Sequence, residues 1–261
     1  FSMSNASKLR MGPLFGKLVI LSSVLNAGAA DRLPVKPFLY HESFEDRDPV
    51  QFLKGTGKYT INFQGVTREK AFSGTKSYKL DVSFQEPYSS CDFAIPLEDI
   101  PATGTLRFSG MIRVEQALPK SRGILALDFS YWPCKTEGYS GDRSFPWNVQ
   151  CAEWVKITAD LPDRAHALAS KMFPREFWPA EPDRAAACVQ RIKIKLFARD
   201  QGDETTQRRV VVYLDDLRIE GETAGREDFT KFAERQWDPV RQRVRNKIAA
   251  WTEIAAEAEA E

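Results

Sequence analysis

From Phe38 to Glu220 the chain repeats one pattern, short apolar runs in period 2 separated by turn residues, without the alternating helices a parallel sheet needs. Tyr78, Leu80, Val82 and Phe84 alternate with Lys79, Asp81 and Ser83. Leu106, Phe108, Gly110, Ile112 and Val114 alternate with Arg107, Ser109, Met111 and Arg113. Successive side chains of a strand point to opposite faces, so each set marks one face on a core and one in water. Residues 123–132 (GILALDFSYW) read as a more fully buried strand, and 154–157 begin another. Residues 191–197 (RIKIKLF) alternate bases with apolar residues, and 209–219 (RVVVYLDDLRI) form the last strong strand. Such a succession predicts an all-β chain, an antiparallel β-sandwich of jelly-roll type over 38–220.

Two stretches interrupt it. Residues 133–150 form a long insertion bearing glycine and aromatic residues, and long loops in compact domains are usually functional or mobile. Residues 163–172 (DRAHALASKM) have helical composition, and 173–182 (FPREFWPAEP) are broken by proline.

The two ends are different material. Lys8, Arg10 and Lys17 precede the apolar run 18–25 (LVILSSVL), and Ala27-Gly28-Ala29 offers a small-residue cleavage site, so residues 1–30 read as an export signal. The run is too short to cross a bilayer, which takes roughly 20 apolar residues. The expected location is secreted or periplasmic, with no membrane span after cleavage. Residues 226–261 read as a helical tail. Asp238-Pro239 is a helix start, and Val240, Val244, Ile248, Trp251 and Ala255 form an amphipathic stripe. The tail is expected either to pack on the sandwich or to lead into a further domain.

Export changes how the cysteines read. Four of them, Cys91, Cys134, Cys151 and Cys188, allow three disulfide connectivities. Cys134 and Cys151 bracket one loop, so pairing them, with Cys91 left to Cys188, is preferred. No C-x-x-C is present, which argues against zinc. Net charge is +1, from 37 basic and 36 acidic residues, which argues against nucleic acid as a partner.

Three motifs carry a resemblance. Phe44-Glu45-Asp46 opens the domain, 71–80 (AFSGTKSYKL) follows, and Tyr213-Leu214-Asp215-Asp216-Leu217 closes it. In this order and at these separations they resemble the galactose-binding-like jelly rolls, including carbohydrate-binding modules of bacterial glycoside hydrolases. Trp154 matches a strand start common in that group, where the ring packs in the core.

The resemblance implies a structural calcium where the first and last strands meet. Glu45 or Glu42 and Asp215 or Asp216 would then lie near it, with backbone oxygens of 73–77. Hard Ca²⁺ takes such oxygens, and two adjacent acids in an apolar strand leave one pointing inward. The resemblance also implies a saccharide ligand and a downstream catalytic domain as partner. A sugar ring stacks on an aromatic platform, for which Tyr131, Trp132, Tyr139, Trp147, Trp178 and Tyr88 are candidates. Arg143, Asp142 and Asn148 would supply polar contacts.

Catalysis has less behind it. Glu86, Glu98, Glu137 and Glu153 are carboxylates without motif support, and no G-x-S-x-G, H-E-x-x-H, P-loop or dinucleotide fingerprint occurs. The expectation is a non-catalytic carbohydrate-binding module of an exported glycan-active protein. The alternatives are an interaction sandwich without sugar binding, and a polysaccharide lyase or hydrolase.

Overall fold

A computed structural model describes residues 33–117, 121–131, 136–140, 152–172, 187–198 and 208–235, with 242, 245–246, 248–250 and 252 of the tail. Eleven strands are described: β1 (Val35–Glu42), β2 (Gln51–Thr56), β3 (Tyr59–Thr67), β4 (Ser77–Phe84), β5 (Ser90–Pro101), β6 (Arg107–Ala117), β7 (Ser121–Tyr131), β8 (Thr136–Ser140), β9 (Trp154–Asp160), β10 (Ala187–Ala198) and β11 (Arg208–Ala224). One helix, α1 (Leu161–Met172), stands between β9 and β10.

The strands form two antiparallel sheets. One has six strands, in the order β3-β4-β11-β6-β9 with β1 added beside β11, and the other has five, in the order β2-β5-β10-β7-β8. β11 is long enough to pair with β4 through its first half and with β1 through its second. This is the jelly-roll β-sandwich, all-β and antiparallel.

The alternation in the sequence explains the core. Tyr78, Leu80, Val82 and Phe84 of β4 are all buried, as are Phe108, Ile112 and Val114 of β6. Ile192, Ile194 and Leu196 face them from β10, and Phe93 and Phe129 from β5 and β7, in one continuous cluster. Each such side chain contributes about 1.5–3 kcal/mol by leaving water. Phe44 is fully buried too, its ring 5.4 Å from that of Tyr78, although its φ of 59° is unusual for a bulky residue. The opening Phe-Glu-Asp turn is therefore held by core packing.

The body extends beyond its expected limits. β1 begins before Phe38, β11 runs to Ala224, and residues 226–235 are helical. Phe229 and Ala233 of that helix are buried with Ala224, Leu33 and Cys188. The expected helix start at Asp238-Pro239 and Trp251 lie outside the described residues, as does the segment 1–30 expected to be an export signal. Ile248 is helical and 60% exposed.

The expected disulfides fare differently. Cys134 and Cys151 lie outside the described residues. Cys91 and Cys188 are free thiols, which corrects their expected pairing, and the register gives the reason. Cys91 stands opposite Leu196 of β10, and Cys188 stands at the far end of the same strand opposite Pro101. Eight strand residues separate the two positions, roughly 26 Å at the usual rise, whereas a disulfide needs Cα atoms about 5.5 Å apart. Burial pushes both thiols up to about 12, so neither is a thiolate at neutral pH.

Candidate functional site

The solvent face of the five-stranded sheet is polar where a sheet face is usually either bare or covered. Its registers lay out a grid. Lys54 of β2, Asp92 of β5 and Lys195 of β10 form one row. The next row is Gln51, Ala94, Lys193 and Ala126, and the third is Pro96, Arg191 and Asp128. Alternation puts these residues outward because their neighbours Phe93, Ile192, Ile194, Leu125 and Leu127 are in the core. Between the outer rows stand the small side chains of Ala94 and Ala126, only 2% and 3% exposed. A hollow of ≈330 Å³ opens at the Pro96 end of the face, lined by Gln51, Leu53, Ala94 and Arg191 among others.

Acids lie at the bottom of this face and bases above them. Asp92 and Asp128 are 2% and 4% exposed. Lys193 Nζ stands 3.2 Å from Asp92 Oδ2, Lys195 Nζ 3.9 Å from Asp92 Oδ1, and Arg191 Nε 2.8 Å from Asp128 Oδ2. Asp92 Oδ1 is buried and carries no hydrogen bond. A buried carboxylate oxygen without a donor is costly, about 1–3 kcal/mol, and calls for an explanation such as a water, an ion or a ligand.

The other sheet offers a control. Asp81 on its solvent face is equally buried, but Oδ1 accepts from Arg209 Nε at 2.8 Å and Asn62 Nδ2 at 2.9 Å, and Oδ2 accepts from Arg209 Nη2. Burial raises its carboxyl, and the Arg209 and Asn62 bonds outweigh that and hold it below its ordinary value. Lys79 on that face is tied to Glu69 at 2.7 Å and lies over the rings of Phe63 and Tyr213. A larger hollow of ≈760 Å³ lies on that sheet beside α1, lined by Arg107, Lys156, Asp160 and Glu220 among others. Lys156 is exposed and Arg107 is 75% exposed, so these groups are already solvated. Asp92 has no such completion.

The expected aromatic platform is corrected at one position. Tyr131 is 4% exposed, and its hydroxyl donates to the Ala165 carbonyl at 2.7 Å, tying β7 to α1. It closes β7 on its core side and cannot stack on a ligand. Tyr139 occupies the β8 position opposite Asp128, at the edge of the polar face. Trp132, Arg143, Trp147 and Trp178 lie outside the described residues, as do Asp142 and Asn148. Tyr88 is 69% exposed in its turn.

The four acids expected near calcium are brought to one end of the six-stranded sheet, each occupied. Glu45 accepts from the Thr75 and Lys76 backbone N–H groups at 2.7 and 2.8 Å and from the Thr75 hydroxyl at 2.8 Å. These bonds hold its carboxyl below the usual range. Lys76 Nζ donates to the Glu45 carbonyl. Asp215 Oδ2 accepts from Phe72 and Ser73 N–H at 2.8 and 3.0 Å, and Oδ1 from Asp216 N–H at 2.7 Å. Burial nevertheless lifts its carboxyl above the ordinary value. Glu42 accepts from Phe44 N–H and Arg47 Nε, and Asp216 bonds His41 and Arg218. Among the described residues no group of three or more His, Cys, Asp or Glu side chains is placed to hold an ion. Oxygens already facing N–H donors do not fit a divalent cation; Glu45 and Asp215 staple the 72–76 turn, and Glu42 holds the turn at Phe44 and Arg47.

Asp92, Asp128, Arg191, Lys193 and Lys195 were not among the expected site residues. The signal for them was an acid inside each of two apolar runs, 90–95 (SCDFAI) and 123–132, facing the bases of 191–197.

No family model and no curated protein matches the sequence. Solved structures do. A structure described for the promiscuous specificity of carbohydrate-binding modules from the β-sandwich superfamily matches at 18% identity and a TM-score of 0.44. The match covers 67% of this chain and 59% of that one, so the chain spans under two thirds of its length. A CBM22-1 xylan-binding domain from Paenibacillus barcinonensis matches at 13% identity and a TM-score of 0.38, over 71% of this chain and 94% of that one. The family 11 carbohydrate-binding module of a cellulosomal cellulase of Clostridium thermocellum matches at 11% identity and a TM-score of 0.42, over 73% and 96%.

Proposed function

We propose that this chain is a non-catalytic carbohydrate-binding module, and that it takes an oligosaccharide or polysaccharide across the solvent face of β2, β5, β10 and β7. The observation that carries this is Asp92, whose buried Oδ1 has no donor although the face around it is built of charged groups. A sugar hydroxyl is both donor and acceptor. It can donate to a carboxylate and accept from an adjacent ammonium or guanidinium, and alternating acids and bases suit a chain of vicinal hydroxyls. The hollow at the Pro96 end, lined by Gln51, Ala94 and Arg191, gives a ligand an opening on this face. The sequence motifs at both ends of the sandwich and the export signal agree with an exported glycan-active protein, with a catalytic domain elsewhere as its partner.

Affinity electrophoresis against a panel of neutral and acidic polysaccharides, followed by calorimetry on the best binder, tests this. The wild-type chain should bind at least one glycan, and Asp92→Ala should weaken that binding about tenfold or more, the worth of one charge-assisted hydrogen bond. Circular dichroism should show the variant folded. Wild-type protein that binds nothing on the panel, or a folded Asp92→Ala that binds unchanged, overturns the proposal.

A further inference from the structure

The charges on this face are unequal in number and in depth. Along the three rows four cations, Lys54, Arg191, Lys193 and Lys195, share it with two carboxylates, Asp92 and Asp128, while Glu98 and Asp99 line the hollow past Pro96. The side chains of Asp92 and Asp128 are 3% and 6% exposed, whereas those of Lys193, Arg191 and Lys195 are 16%, 24% and 35% exposed. The acids lie beneath and the bases reach solvent, so an approaching ligand meets positive charge. The whole chain has a net charge of only +1, so this excess is local.

Two of the four cations are loosely held. Lys193 takes the nearer Asp92 oxygen, which leaves Lys195 at 3.9 Å from the other. Lys54 is exposed and forms no ion pair among the described residues. The registers place Lys54 and Lys195 on either side of Asp92 in one row, roughly 9.6 Å apart at two strand spacings. An anion above Asp92 would lie between two ammonium groups and draw Lys195 away from Oδ1, opening that oxygen to a neighbouring hydroxyl. The acids at the Pro96 end lie beyond the third row: Glu98 is exposed, and Asp99 is engaged by Arg226 at 3.1 Å.

Resting on the saccharide reading above, we propose that the glycan is an acidic one, a polysaccharide whose sugars carry carboxylates as hexuronates do. Lys54 and Lys195 bind the carboxylate, and Asp92 takes the adjacent hydroxyl. Lys193 fixes the Asp92 carboxylate and acts as a positioning residue.

The test compares polygalacturonate, neutral xylan and dextran sulfate as probes for the full chain, with Lys54→Gln, Lys195→Gln and the double variant. Both lysines are on the solvent face, and thermal melts establish that each variant is folded. The expected result is binding to polygalacturonate that weakens as salt is raised, falls about tenfold in each single variant and falls further in the double. Binding to xylan that equals or exceeds this, unchanged in the lysine variants, overturns the acidic assignment and leaves the saccharide reading standing. Equal binding to dextran sulfate means ion exchange only and also overturns it. If no polysaccharide on the wider panel binds, the saccharide reading itself has failed.

Discussion

Asp215 and Asp216 are adjacent acids with opposite roles. Asp215 is fully buried and spends both oxygens on backbone N–H groups, two of them from the 72–73 turn. Asp216 adopts a left-handed φ of 48°, which turns its carboxylate out to His41 and Arg218. Asp215→Ala should therefore cost about 1–3 kcal/mol, because it leaves three part-buried N–H donors without their acceptor. Urea unfolding of the variant measures this, and a loss below 1 kcal/mol would mean the turn re-forms its bonds elsewhere. Glu45 gives a pH dependence. Its folded carboxyl lies below its ordinary value of 4.5, held first by the Thr75 N–H and then by Lys76. A lowered carboxyl contributes stability that is present above the unfolded value and is lost as pH falls through the folded one. The melting temperature of wild-type protein should thus fall as pH drops below 4.5, and Glu45→Gln should flatten part of that fall. Identical acid profiles for the two proteins would remove Glu45 from the account.

At the scale of elements, β10 is the centre of the five-stranded sheet, paired with β5 on one side and β7 on the other. Ile194 on it is 1% exposed, so Ile194→Ala should lower global stability by about 2–5 kcal/mol. The helix at 226–235 is a separate case. Phe229 and Ala233 in it are buried against Ala224 and Leu33, and such packing rather than propensity holds an amphipathic helix. Phe229→Ala should release it, with proteolysis after Ala224 at a sandwich that otherwise melts as before. A large fall in the main melting temperature instead would show the helix to be integral to the core. Legible in the sequence were β4, β6, β10 and β11, each with one wet face, together with β7 as a more fully buried run, the start of β9 and the composition of α1. β5 was missed because Ser90 to Ile95 are buried on both faces, which erases the alternation. β2 was missed for the opposite reason, since as an edge strand it is exposed along most of its length.

Across the whole molecule, the candidate site joins residues that are remote in the chain. Lys54, Asp92, Asp128 and Lys195 come from β2, β5, β7 and β10, and they become neighbours only through the order of one sheet. The same order explains Tyr131 and the cysteines. β7 lies between β10 and β8, and its last residue reaches under α1, where its hydroxyl bonds Ala165 and the ring leaves the surface. Cys91 and Cys188 are on paired strands, yet the register sets them at opposite ends. The largest hollow quoted above and the most aromatic face both belong to the six-stranded sheet, but the charged groups there already have partners or water.

Much was determined by the sequence alone. Period-2 alternation from Tyr78 to Phe84 and from Leu106 to Val114 dictates strands with one buried face, because side chains on a pleated backbone alternate by geometry and water excludes the apolar set. The lack of crossover helices makes the pairing antiparallel. Glu45 and Asp215 announced a junction between the opening turn and the last strand, although N–H donors fill it where an ion was expected. Tertiary structure alone decided which face carries the site. Whether an acid such as Asp92 is satisfied, as Asp81 is, depends on the strand laid beside it, and strand order is a long-range property that no local pattern encodes.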